Sequence, residues 1–184
     1  MPRHKLLVIL ILAAFAAVSA IPAGAQAKRS VKGVGFKTYV PSGWKIRHAT
    51  MAPGWKRVSA SPTGKSTDVL SVTMSSIGVR TLVKASDRSL PPTAPELVAL
   101  LPSVPPGATQ AQLTGQPRAT TLGGSLAGEV PYHYVTQAGE GIAALAVAAR
   151  RGNRVYLLNV AGDDQGSLLG QSAISLIRNS WAFT

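Results

Sequence analysis

The chain has 184 residues, no cysteine, and 19 Lys and Arg against seven Asp and Glu, a formal charge of +12. Without cysteine there is no disulfide, thiol nucleophile, thiolate metal site or lipid-bearing cysteine. The length suits one domain with a sizeable core, because a chain this long buries about 68–70% of its unfolded surface.

Residues 1–25 read as a secretory signal peptide. A basic start, Pro2-Arg3-His4-Lys5, precedes an apolar run over 6–20 and two small-residue cleavage patterns, Ala23-Gly24-Ala25 and Ala25-Gln26-Ala27. The apolar run falls short of the ~20 residues a spanning helix requires, and no later segment is apolar enough to span. Cleavage after Ala25 leaves 159 residues, and cleavage after Ala27 fits as well. The organisation expected is a signal at 1–25, a flexible N-terminus at 26–31 and one domain over 32–184. The expected location is outside the cytoplasmic membrane, in the envelope space or the medium.

Charge divides the domain unevenly. Residues 28–88 carry twelve Lys and Arg against Asp68 and Asp87, whereas residues 89–184 carry five cations and five acids. Such asymmetry points to an anionic partner. Outside the cell this means an anionic envelope component or an acidic protein surface, with no nucleic acid expected. Solubility alone is the competing explanation for the same charge.

In chain order, GFKTYV (35–40) and WKIRHA (44–49) alternate apolar and polar around Pro41-Ser42-Gly43, which predicts a β-hairpin. Lys37, Tyr39, Lys45 and Arg47 would share its outer face, and Trp44, Ile46 and His48 its packed face. A strand follows from Trp55 to about Ser61, then another over 68–77. The Pro-rich stretch 89–108 reads as a crossover holding a short helix over 94–101, with Pro95 in its first turn. Strands are expected at 118–122, 126–136, 141–149 and 153–161, the last two apolar enough to be covered on both faces. Asp163 or Asp164 can cap a closing helix over about 166–178, and Trp181 and Phe183 should dock on the core. The fold class expected is α+β: an antiparallel sheet of about six or seven strands packed between helices in a single domain.

Three stretches resemble one family. GFKTYVPSGW (35–44) is similar to the opening of PsbP-like domains, the group that includes PsbP, DcrB-type and LpqN-type exported proteins. TLGGSLAGEVPYHY (121–134) resembles the family's middle Gly-Gly strand, and NRVYLLNVAG with IRNSWAF (177–183) its closing strand, helix and aromatic end. The resemblance covers 32–184 and implies an α/β/α layered sandwich acting as an accessory or binding protein. It carries over no catalytic residues, and the lipobox cysteine of LpqN-type members is absent here.

Two motifs invite a sharper reading and do not sustain it. Gly64-Lys65-Ser66-Thr67 ends like a phosphate-binding loop, but Ser59 stands where the first glycine belongs and a strand pattern follows, so it reads as a turn. Gly123-Gly124-Ser125 lacks the last glycine of a nucleophile elbow. His48 and His133 have no evident metal or triad partners, and Asp163-Asp164 supplies too few oxygens for calcium. No catalytic residue, metal ligand or cofactor is therefore expected, and the chain is read as a non-enzymatic binding protein. Its candidate site is a basic patch of Lys37, Tyr39, Lys45, Arg47, Lys56 and Arg57, with Lys32 nearby. Two alternatives stay open: a carrier of a small apolar ligand, and a small hydrolase assembled from Ser125, His133 and Glu129. Oligomeric state is not legible.

Overall fold

The structure, a computed structural model, describes residues 27–51, 54–63, 70–86, 89, 91–101, 108–136, 138–162 and 168–184. The signal segment, the Gly64–Thr67 turn, the Asp163-Asp164 cap and the prolines at 102, 105 and 106 lie outside them.

Two antiparallel sheets form the body. The small one has the order β1 (Lys28–Gly33), β2 (Phe36–Pro41), β11 (Ala182–Phe183). The large one runs β3 (Lys45–Met51), β4 (Trp55–Ser61), β5 (Ser71–Gly78), β10 (Arg154–Ala161), β9 (Gly141–Arg151), β8 (Ser125–Thr136), β6 (Ala108–Leu113), with β7 (Arg118–Leu122) also on β8. Helices α1 (Val79–Ser86), α2 (Ala94–Leu100) and α3 (Leu168–Ser180) complete the fold. The result is a single α+β domain built mostly of antiparallel sheet, with more strands than the sequence suggested.

Alternation along the strands gives the large sheet two apolar faces, each with its own cover. One face carries Ile77, Val130, Tyr132, Tyr134, Val155 and Leu157 and is covered by Leu82 of α1 and by Leu97 and Val98 of α2. The other carries Val58, Val72, Met74, Val147, Tyr156 and Leu158. It is covered by Phe36 and Val40 of the small sheet together with Ala173 and Ile177 of α3. The expected helix–sheet–helix layering is thus modified on one side, where a three-stranded sheet lies beside α3.

The expected hairpin of 35–40 with 44–49 does not form. β2 pairs with β1 and β11, β3 pairs with β4, and the two strands belong to different sheets. A tighter turn competes for β2: Gly33 pairs with Phe36, leaving the two-residue loop Val34-Gly35, the commonest hairpin connection. Gly35 has φ +82°, and a Cβ there would meet the Tyr156 hydroxyl at 2.6 Å, so both the turn and the docking of the small sheet need glycine. Ser76 Oγ donates to the Val34 carbonyl at 2.7 Å and fixes the loop to β5. β1 begins at Lys28, four residues before the expected boundary at 32.

Proline in mid-strand is accommodated by topology. β8 pairs with β7 through residues 125–129 and with β6 through 132–136. Pro131 lies at the handover between the two, where a missing N–H costs least. Helix α2 starts at a capping box: Thr93 Oγ1 accepts from Glu96 N, and Glu96 accepts from Thr93 N. Its first turn reaches the sheet because Gly128 has no side chain; a Cβ there would meet the Ala94 carbonyl oxygen at 2.1 Å.

Candidate anion-binding edge

The six residues of the basic patch divide into three groups. Lys37 and Tyr39 lie on the outer face of the small sheet, where Lys32 pairs directly with Lys37 and Ser30 with Tyr39. The Lys28 and Lys37 ammonium nitrogens stand 4.8 and 5.6 Å from the centre of the Tyr39 ring, a cation–π arrangement. Lys45, Arg47 and Arg57 lie instead on one face of the large sheet, because Lys45 pairs with Ser61, Arg47 with Ser59 and Ala49 with Arg57. Lys56 points to the opposite face and donates to Thr50 Oγ1 at 3.3 Å.

The expectation that Lys37 shares a face with Lys45 and Arg47 is therefore corrected. It assumed the hairpin that the Val34-Gly35 turn replaces. His48 is corrected with it: Trp44 is buried and Ile46 partly so, but His48 is exposed. β3 is the edge of the large sheet, and the covering layer ends before it reaches His48. The histidine instead lines a groove of about 340 Å³ with Lys32, Thr50, Lys56 and Arg57, between the β1–β2 turn and the β3–β4 edge.

A second concavity, of about 300 Å³, lies on the face of Arg57. Lys45, Arg47, Arg57, Ser59, Ser61 and Ser71 line it. Arg57 is half-buried and held by hydroxyls: Nε donates to Ser59 Oγ at 3.1 Å and Nη2 to Thr73 Oγ1 at 3.3 Å. Desolvation pulls its pKa below the ordinary arginine value, though an arginine remains protonated at neutral pH. The polar character continues inward. Thr73 pairs with Asn159, and the buried Tyr132 hydroxyl donates to Asn159 Oδ1 at 2.8 Å. Tyr132 reaches across β9 because that strand presents Ala144, Ala146 and Ala148 to this face. Sequence reading missed these hydroxyls, since Ser and Thr alternating along β4 and β5 also describe a solvated face.

Burial raises the pKa of Tyr132 strongly and also that of Tyr134, against the opposing charge of Arg57, so folding favours the neutral form of both. In the unfolded chain they ionise near pH 10. Their contribution is complete below that pH and is lost as pH climbs toward the raised folded-state values. The stability difference between wild type and Tyr132→Phe should therefore shrink above pH 10, approaching a slope of about 1.4 kcal/mol per pH unit. Urea titrations of both proteins at pH 8, 10 and 11 measure it; a difference independent of pH would refute the assignment.

The hydrolase alternative finds no assembled site. Ser125, Glu129 and His133 are spaced four residues apart on β8, about 13 Å from one to the next. Each has other neighbours: Ser125 Oγ accepts from Arg151 Nη1 at 3.2 Å, and the His133 ring packs against Gly141. Glu129 is buried and accepts from Arg118 Nε at 2.6 Å and Arg178 Nη1 at 3.0 Å. Arg178 also donates to the Thr120 hydroxyl, tying α3 to the β7–β8 hairpin. Among the described residues no three His, Asp or Glu side chains gather as metal ligands. No helix among them is long and apolar enough to cross a membrane.

Comparison of the sequence with protein-family models and with curated proteins returns no match. Solved structures do match. The solution structure of cyanobacterial PsbP (CyanoP) from Synechocystis sp. PCC 6803 superposes with a TM-score of 0.58 at 15% identity, over 89% of this chain and 96% of that one. LpqN, involved in cell envelope biogenesis of Mycobacterium tuberculosis, superposes with a TM-score of 0.47 at 19% identity, over 86% and 91%. The likeness to CyanoP extends over most of both chains, and the chain has the PsbP-like fold.

Proposed function

We propose that this chain is an exported, non-enzymatic binding protein that contacts an anionic envelope component through the basic edge formed by β1–β2 and β3–β4. The observation that carries the reading is the concentration of cations there. Lys32, Lys56 and Arg57 line the groove at the β3–β4 edge, and Arg57 with Lys45 and Arg47 lines the concavity beside it. Lys32 and Lys37 also stand directly opposite one another. Like charges in that position destabilise a strand pair, a cost that a bound polyanion relieves. The three-part signal pattern of residues 1–25 supports export.

Co-sedimentation of residues 26–184 with anionic vesicles across a salt series tests the proposal. Binding should be present at low salt, weaken steeply as exposed charges are screened, and be absent from neutral vesicles. Charge reversal at Lys32, Lys45 and Arg47 together should abolish it. Binding that ignores both salt and the triple reversal would defeat the reading.

A further inference from the structure

Resting on that reading of the β3–β4 edge, the geometry points to the concavity between Lys45, Arg47 and Arg57 as a discrete site for a single phosphoryl group, free or as a monoester. The two hollows at this edge differ in kind. The groove beside His48 shares Arg57 with this hollow, but its other cations are Lys32 and Lys56, flexible and strongly hydrated groups that suit a diffuse, interchangeable contact. The other hollow joins two arginines and a lysine to the hydroxyls of Ser59, Ser61 and Ser71. That set supplies charge and several short hydrogen-bond donors, the combination an oxyanion with three or four oxygens requires. No carboxylate is among the described residues that line it.

Preorganisation separates this arrangement from a chance cluster. Lys45, Arg47, Arg57, Ser59 and Ser61 all belong to paired strands, so their spacing is set by the sheet and not by a loop. The Arg57 fork is oriented beforehand by Ser59 and Thr73, so little side-chain freedom remains to be lost when an anion arrives. Arg47 pairs with Ser59 on the neighbouring strand and is exposed. A volume of about 300 Å³ lies at the small end of ligand sites. It accommodates a phosphoryl group with a short ester substituent, not a polymer segment.

Isothermal titration calorimetry on residues 26–184 tests the site, with inorganic phosphate, glycerol 3-phosphate and uncharged glycerol as probes. Both phosphates should give saturable binding and glycerol none. A tighter fit for glycerol 3-phosphate would identify an esterified headgroup as the source, and equal affinity would identify free phosphate; either supports the site. Lys45→Gln and Arg47→Gln, both exposed and safe for folding, should each weaken binding about tenfold or more. Arg150→Gln, exposed on β9 and away from both hollows, should leave it unchanged. Saturable phosphate binding without vesicle binding would sustain the site and remove only the wider contact with the envelope. No saturable binding of either phosphate overturns the site, as does an affinity indifferent to the Lys45→Gln/Arg47→Gln pair or equally sensitive to Arg150→Gln.

Discussion

Replacing Trp181 by alanine should cost about 3–5 kcal/mol, the range for truncating a large aromatic in a packed core. The indole is 3% exposed and lies between both sheets and α3. It stacks on Phe36 with ring centres 4.3 Å apart and planes 13° apart, and meets Tyr156 edge-on at 6.5 Å. Phe183 closes the cluster at 6.3 Å. Alanine would leave Phe36 facing a void and free the short strand β11, which pairs Ala182 with Lys37 and Phe183 with Phe36. Each kcal/mol moves the midpoint by about 2–4 °C in a domain of this size, so thermal unfolding should shift down by roughly 6–20 °C. Trp181→Phe should cost less. It keeps a ring on Phe36 and removes the indole Nε1–H, a buried donor with no partner among the described residues, whose burial is itself unfavourable. Equal losses for alanine and phenylalanine would mean that the ring stacking contributes nothing.

The second large effect is expected at Glu129. Its side chain is 7% exposed and paired with Arg178, itself 23% exposed. Removing one partner of a buried pair strands the other charge and costs about 3–5 kcal/mol. Glu129→Ala should fall at the lower end, because Arg178 keeps its bonds to the Thr120 hydroxyl and the Thr121 carbonyl. Arg118, on the same carboxylate, is 72% exposed, and Arg118→Ala should cost less than about 1 kcal/mol, as exposed ion pairs do. Urea unfolding of the two variants measures the contrast. Similar losses for both would show that burial does not set the strength of this network.

Glu129 also illustrates what sequence alone could not resolve. In the linear chain it is one isolated acid on a strand, equally open to a catalytic or a structural use. Its meaning depends on Arg118, eleven residues away, and Arg178, forty-nine residues away. The basic patch has the same character. All six candidate residues were visible as cations and an aromatic in alternating strands, yet Lys45, Arg47 and Arg57 line one concavity, Lys56 and Arg57 another, and Lys37 and Tyr39 neither. Ser59, Ser61 and Ser71, which line the first concavity, and Thr73, which holds Arg57, gave no signal at all. A hydroxyl on a strand faces solvent or a buried polar site according to what covers the sheet.

The sequence by itself determined the α+β class, the strands at β4, β8, β9 and β10, and the helices α2 and α3. In these elements alternation, a continuous apolar run or a helical stripe marks the segment, and Gly, Pro or capping residues stand near its ends. It left out β1, β6, β11 and α1. β1 is four-sixths exposed polar chain, β6 carries a bulge with Gln110 at φ +54°, β11 has two residues, and α1 is rich in β-branched Val and Thr. Only the tertiary structure decided which strand lies beside which. Periodicity is a property of one segment, whereas pairing is a competition among all of them. Here the two-residue Val34-Gly35 turn and the need of Phe36 for cover by Tyr156 and Trp181 drew β2 away from β3. That separation put Lys37 on one sheet and Lys45 with Arg47 on another, and so set where an anion can be held.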